Sequence, residues 1–424
     1  MKSVRLFEGQ KEIKKSCKEN LMRIAFINTY ANGSTGRIVD SLKEICAKAG
    51  HEVISYYGRG YCSTPQNSEK HMSTVGHYAD AILTRVFDTH GLNNKRNTRK
   101  LISSLRTFKP DIVHIHNLHG YWINYPMLFR YVNRNNIKVV WTLHDCWSFT
   151  GHCTHFDYIK CNKWQNLCHH CEQKTEYPKS LICDRSRKNY LDKKKAFTLL
   201  DKQNMHIVTP SQWLADNVKQ SFLSKYPVSV INNGIDLNVF KPQKSTKREQ
   251  YGIEERFVVL GVASYWNERK GLKYILEVAQ RKPEWIFVII GDLGQSQGET
   301  IEADNLVFVP RTESVNDLAE WYSTADVYVN PTLEDTYPTT NLEAIACGTP
   351  VVTFPTGGSV EIVQVTNFGT VCKDKTAKAL SDAIEYVICQ KKEAQNYDTN
   401  LLDCSTKFNE YLTLYLKVYE NDKN

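Results

Sequence analysis

The stretch TLEDTYPTTNLEAIACGTP, residues 332–350, sets Asp335 and Glu343 eight positions apart. A carboxylate suits bidentate binding of vicinal hydroxyls such as those of a ribose or hexose. Val327–Asn330 reads as a buried strand, and Glu334, Asp335 and Thr336 follow in its loop. Pro338-Thr339-Thr340 then leads into a helix expected over Asn341–Ala346, closed at Gly348. That places Asp335 at the strand's carboxyl end. Glu343 falls in the first helical turn, where the dipole alone would favour an acid. The helix start, with Thr339 and Thr340, offers free N–H groups to an anion.

Three other junctions could do related chemistry. In VASYWNERKGLKYIL, residues 262–276, a strand gives way to a helix beginning near Gly271. Arg269 and Lys270 stand there as phosphate contacts, Arg as a fork and Lys as a point charge. In NTYANGSTGRIVDSL, residues 28–42, Gly33 and Gly36 let a backbone approach a ligand closely before a helix starts. In WTLHDCW, residues 141–147, His144 follows a strand directly and can donate to a substrate hydroxyl or phosphate. Ser211 in VTPSQWL and Asp236 in NNGID read equally well as a helix cap and an Asx turn.

Four thiols, Cys153, Cys161, Cys168 and Cys171, lie within 19 residues in the spacing C-x7-C-x6-C-x2-C. They could wrap a tetrahedral structural zinc, with His152, His155, His169 or His170 replacing one of them. The alternatives are disulfides, disfavoured in the cytosol, and unligated thiols. Nearby, Arg185–Lys195 carries six basic residues and one acid. With Trp147, Phe149, Phe156, Tyr158 and Trp164 it reads either as a membrane-facing surface or as an ordinary solvated helix face.

These groups need a scaffold. Short β-rich runs, several wholly apolar (VVLGVA, FVIIG, VYVN), alternate with helical stretches along the chain. That pattern predicts doubly wound α/β architecture with parallel sheets, whose ligands bind beyond the carboxyl ends of the strands. The polar stretch KPQKSTKREQYGIEE, residues 241–255, reads as a linker between two halves. The expected division is a polar extension over 1–21, domains over 22–240 and 241–402, and a final amphipathic helix in 403–424. The 424 residues are too many for one core. Formal charge is +8, modest for this length, and no nucleic-acid motif or membrane-length apolar run is present. The first residues lack the apolar core of a secretory signal, and thirteen cysteines fit reduced thiols in the cytosol.

Taken together and in order, these pieces resemble the retaining glycosyltransferases of family 4, which have the GT-B fold: two Rossmann-like domains facing a central cleft. The family's E-x7-E is matched by Asp335 through Glu343, followed by ACGTPVV. His144–Asp145, Ser211 in PSQWL and Asn233–Asp236 match further landmarks. The cysteine-bearing insertion looks like that of a subgroup building bacterial surface polysaccharides. The resemblance implies transfer from a nucleoside diphosphate sugar to a lipid-linked oligosaccharide, by a cytoplasmic enzyme peripheral on an anionic membrane. It implies that Glu343 holds the ribose. Asp335, Thr336 and Tyr337 would hold the donor sugar, and Lys270, Thr339 and Thr340 the diphosphate. His144 would meet the sugar near the reaction centre, and Gly33–Gly36 would close on the phosphates. The final helix would pack back on the first domain. No cofactor is required in such enzymes, Lys270 and helix N-termini replacing a metal. Two departures stand out: the family's first glutamate is Asp335, beside Glu334, and GVASYWNE lacks the family's arginine, leaving Arg269 as its substitute. A sugar-nucleotide epimerase and a non-catalytic nucleotide-sugar-binding protein are the rival readings.

Overall fold

The computed structural model describes residues 21–62, 65–294, 304–390 and 398–420. The polar extension over 1–21 lies outside them, apart from Leu21.

The chain forms two compact units. Of the described residues, the first takes those up to Phe156, then Lys160–Asn232 and the chain from Phe408. The second takes Asp157–Ile159 and Asn233–Lys407. The first is built on a seven-stranded sheet of β1 (Arg23–Tyr30), β2 (Glu52–Arg59), β3 (Ser68–Lys70), β4 (Ile112–Ile115), β5 (Lys138–Thr142), β6 (Met205–Thr209) and β7 (Val228–Val230). The strand order is β3-β2-β1-β4-β5-β6-β7, with every pairing parallel. Its helices are α1 (Gly33–Lys48), α2 (Thr74–Phe87), α3 (Lys95–Phe108), α4 (Tyr125–Arg134), α5 (Ser186–Phe197) and α6 (Gln212–Gln220). The second sheet holds β8 (Phe257–Tyr265), β9 (Trp285–Asp292), β10 (Leu306–Val309), β11 (Val327–Asn330), β12 (Val351–Thr353) and β13 (Gly369–Val371). Its order is β10-β9-β8-β11-β12-β13, also parallel. Helices α7 (Lys247–Tyr251), α8 (Leu272–Arg281), α9 (Val315–Thr324), α10 (Thr339–Ala346), α11 (Ser359–Thr366) and α12 (Ala377–Cys389) accompany it, and α13 (Cys404–Glu420) ends the described chain.

The apolar runs explain the architecture. Leu260, Val288 and Tyr328 sit in one core of the second unit and Val259, Phe287 and Val329 in another, so β8, β9 and β11 are covered on both faces. Truncating such a residue, Leu260 for example, costs about 2–5 kcal/mol.

Two expectations about boundaries are corrected. The second unit begins at Asn233, not at residue 241. Ile235 bridges Asp403, donates its N–H to Leu402 at 2.8 Å and accepts from Cys404 at 2.9 Å, and Ile235 and Phe240 are buried in the second core. Nor is 241–255 a free linker. Arg248 donates to the Thr324 carbonyl at 2.9 Å and to Asp326 at 2.7 Å, and Ile253 is buried. In α13, the Tyr411 hydroxyl lies 3.0 Å from Thr142 and the Tyr415 hydroxyl 2.6 Å from His114.

Candidate active site

In the second unit, β11 ends at Asn330 and the loop Pro331–Pro338 runs into α10. Helix α10 starts at Thr339, two residues earlier than expected, so Glu343 lies in its second turn rather than its first. A dipole explanation for that acid therefore weakens. A chain of buried polar groups fixes this helix. Asn330 donates to Asn341 at 2.7 Å, Asn341 to Ser359 at 2.8 Å, and Ser359 lies 2.7 Å from Thr353. Thr339 and Thr340 are half-buried at the helix start, whose cap position, Pro338, makes no side-chain bond.

The loop after β11 is held against the turn Glu268–Lys270. Leu333 donates its N–H to the Arg269 carbonyl at 2.7 Å. Gly271 has φ +74°, and a Cβ there would stand 2.1 Å from the Pro331 carbonyl oxygen. Only glycine allows this approach. The result sets Lys270 Nζ 3.0 Å from Asp335 Oδ2, with both side chains partly open to solvent. Asp335 Oδ1 also accepts from the Tyr337 N–H at 3.3 Å. Glu334 is different: its side chain is buried and paired with Arg269 at 3.4 Å. The two adjacent acids thus separate, Glu334 inward and Asp335 outward. Glu343 is buried and accepts from the Tyr322 hydroxyl at 3.1 Å. Thr336 and Tyr337 are buried, and burial pushes the Tyr337 hydroxyl above its ordinary value.

In the first unit, Gly33 opens α1 at φ +75° with open space around it. A Cβ on Gly36 would stand 2.6 Å from the Ala31 carbonyl carbon. His144 follows β5. Its Nε2 lies 2.9 Å from His116 Nδ1, and the two rings stack at 5.2 Å. Burial pulls His144 down to about 4, against the opposing pull of Asp145. Both rings are therefore neutral near pH 7, one donating to the other. Burial raises Asp145, but His119 at 2.7 Å and the Trp147 N–H at 2.9 Å hold it net at about 2. His116 was missed by sequence reasoning, although His114-x-His116 at the end of β4 obeys the same strand-end logic.

Other expected contributors take structural roles. Ser211 is fully buried, and its hydroxyl caps α6 by accepting from Leu214 at 3.2 Å. Asp236 closes its turn by accepting from the Asn238 N–H at 2.9 Å. The aromatic surface is corrected: Trp147, Phe149, Phe156 and Trp164 are core residues, leaving Tyr158 exposed. Lys193 of the basic run is also buried, donating to the carbonyls of Trp147 at 2.6 Å and Thr150 at 3.0 Å. Burial lowers it to about 7.

The described cysteines are free thiols. The Cys153 and Cys171 thiols are hydrogen-bonded to each other, and Cys161 and Cys168 belong to the same core region. Among the described residues no group of three or more His, Cys, Asp or Glu side chains is arranged to hold a metal ion. Cys168 Sγ instead accepts from the Gly151 N–H at 3.2 Å, and His152 Nδ1 is taken by Asp88 at 2.7 Å.

The two parallel-sheet units have the fold of the GT-B glycosyltransferases. The family model for glycosyltransferase family 4 matches residues 35–239, and that for glycosyl transferases group 1 matches residues 243–401. The chain belongs to the family 4 glycosyltransferases and is an enzyme of that class. It is 26% identical over 338 residues to the putative colanic acid biosynthesis glycosyl transferase WcaC of Escherichia coli, covering 77% of this chain and 78% of that one. It is 28% identical over 223 residues to a Campylobacter jejuni N,N'-diacetylbacillosaminyl-diphospho-undecaprenol alpha-1,3-N-acetylgalactosaminyltransferase, covering 49% and 59%. Anabaena HepE in complex with UDP-glucose shares the fold at TM-score 0.64 and 15% identity, over 93% of this chain and 99% of that one.

Proposed function

We propose that the enzyme transfers a hexose from a nucleoside diphosphate sugar to a lipid-linked glycan, with retention of anomeric configuration, in assembly of a bacterial surface polysaccharide. The observation that carries this is the Lys270–Asp335 pair at 3.0 Å, beside a helix that bears Glu343. In the donor complex Lys270 exchanges Asp335 for the diphosphate. Asp335, Thr336 and Tyr337 then meet sugar hydroxyls, and Glu343 takes the ribose hydroxyls in place of Tyr322. The amides of Thr339 and Thr340 join Lys270 in stabilising the leaving diphosphate, without a required divalent ion. Arg269 acts through Glu334, fixing the turn that carries Lys270. His144 supplies a neutral hydrogen bond to the donor sugar, and the Gly33–Gly36 turn approaches the phosphates. The acceptor attacks the face from which the diphosphate leaves, and a phosphate oxygen receives its proton.

The names of the WcaC and Campylobacter relatives support surface polysaccharide and a lipid diphosphate acceptor, and the HepE complex supports a nucleotide-sugar donor. Among the described residues no helix is long and apolar enough to span a membrane; the lipid-linked acceptor is the reason to propose peripheral attachment at the cytoplasmic face. The test is incubation with UDP-, GDP- and dTDP-sugars and a lipid diphosphate sugar, read by mass and by NMR of the new linkage. A glycoside of the donor's anomeric configuration is expected, with the rate unchanged by chelator. An inverted linkage, or an epimerised nucleotide sugar with no glycoside, would refute the proposal.

A further inference from the structure

The segment between β5 and α5 that carries the cysteines also carries Tyr177. In the first unit Asp145 follows β5 and His119 follows β4, and the Asp145 carboxylate lies 2.7 Å from His119 Nε2. A carboxylate only accepts, so Nε2 carries a proton. The other ring nitrogen of His119, Nδ1, meets the Tyr177 hydroxyl at 3.1 Å. Burial raises that hydroxyl well above its ordinary value, so it keeps its proton. The Tyr177 ring packs edge-on against His119 at 5.5 Å, His90 at 5.8 Å and Tyr121 at 6.2 Å. Even so, the residue stays 40% exposed. Its hydroxyl is thus tied inward while part of the ring stays open. Tyr121, one of its supports, is held at φ +66°, a region that a bulky residue keeps only where its surroundings fix it. Asn94 fastens that turn by donating to the Tyr121 carbonyl at 3.1 Å. A cation stands near. Arg59 donates to the Tyr30 hydroxyl at 2.8 Å, lies 5.0 Å over that ring, and acts on the Tyr177 hydroxyl through space. Its partner there is a hydroxyl rather than a carboxylate, which leaves its charge available to an anion.

We infer that Tyr177 is the platform on which the acceptor's sugar ring lies, with the acceptor's diphosphate toward Arg59. One face of a hexose is a patch of C–H groups that rests flat on an aromatic ring, while its rim of hydroxyls reaches polar neighbours. A ring already fixed through its own hydroxyl loses little freedom on binding. The chain Asp145–His119–Tyr177 starts at the residue after His144, which keeps the platform close to the imidazole assigned to the donor sugar. Tyr177 is then a specificity residue, and His119 and Asp145 are positioning residues that act through it. The inference rests on the lipid-linked acceptor reading. It is tested by binding without nucleotide sugar, whereas the transfer reading is tested by product, so the two failures are distinguishable. The full chain is titrated calorimetrically with farnesyl diphosphate and with farnesyl diphosphate bearing glucose, galactose or N-acetylgalactosamine. At least one sugar-bearing probe should bind the parent about tenfold more tightly than farnesyl diphosphate. Y177A should weaken that probe about tenfold and leave farnesyl diphosphate unchanged. Y177F, which keeps the packed ring and guards against loss of the fold, should stay within about threefold of the parent. R59Q should weaken both kinds of probe about tenfold. Equal losses by Y177A on both kinds would put the lipid or the diphosphate on Tyr177 and overturn the inference. So would a Y177F loss as large as that of Y177A, unchanged binding in Y177A or R59Q, or a parent that binds no sugar-bearing probe.

Discussion

The two units carry chemically different groups beyond the carboxyl ends of their strands. Beyond β11 and β8 the second unit sets charged groups: Lys270 against Asp335, partly open to solvent, with Glu343 behind them. Beyond β4 and β5 the first unit sets stacked histidines, His116 and His144, kept uncharged by burial. A departing diphosphate gathers negative charge and needs fixed positive charge. A neutral imidazole can hydrogen-bond a hydroxyl without attracting phosphate. The difference teaches that the charged groups of the second unit suit an anion as well as hydroxyls, whereas the neutral histidines of the first suit a hydroxyl alone.

That division can be broken from either side. The largest effect is expected for Lys270→Ala, with turnover falling about 10²- to 10³-fold in steady-state transfer assays. His144→Ala should cost about 10²-fold, and His116→Phe less, through kcat rather than donor KM. The adjacent acids should split: Asp335→Asn raises donor KM, whereas Glu334→Gln lowers the melting temperature, because Glu334 is tied inward to Arg269. The histidine side has a pH signature. His144 titrates near 4 when folded and near 6.5 when unfolded, so between those values the unfolded chain binds more protons. Stability should therefore fall as pH drops from about 6.5 to 4, and His144→Gln should flatten that slope in thermal melts. The smallest effect is expected for Ser211→Ala: about 1 kcal/mol of stability from the lost cap, with transfer unchanged.

Much of the fold was legible because continuous apolar strands such as β8, β9 and β11 carry one message, burial on both faces. The strand-end residues were legible for the same reason, since a strand's end locates its loop. Side-chain direction was not. Nothing local distinguishes Glu334 from Asp335. The Arg269 pairing and the Gly271–Pro331 approach do so, and both depend on contacts between residues more than 50 positions apart. The aromatic cluster after β5 has a composition that suits a surface and a core equally, and packing decided for the core. Helix α2 is the reverse case. Its spaced apolar residues Val75, Tyr78 and Ile82 suit a buried stripe, but Asp80 and Thr84 take the inner side and turn them outward.

The account stands on the charged half-site. Thermal shift with a panel of UDP-, GDP- and dTDP-sugars, run on the parent, K270A and E343A, tests it most directly. At least one nucleotide sugar should raise the parent's melting temperature, and both variants should lose that rise while melting as sharply alone. Equal stabilisation of all three proteins would contradict the assignment of Lys270 and Glu343 to the donor.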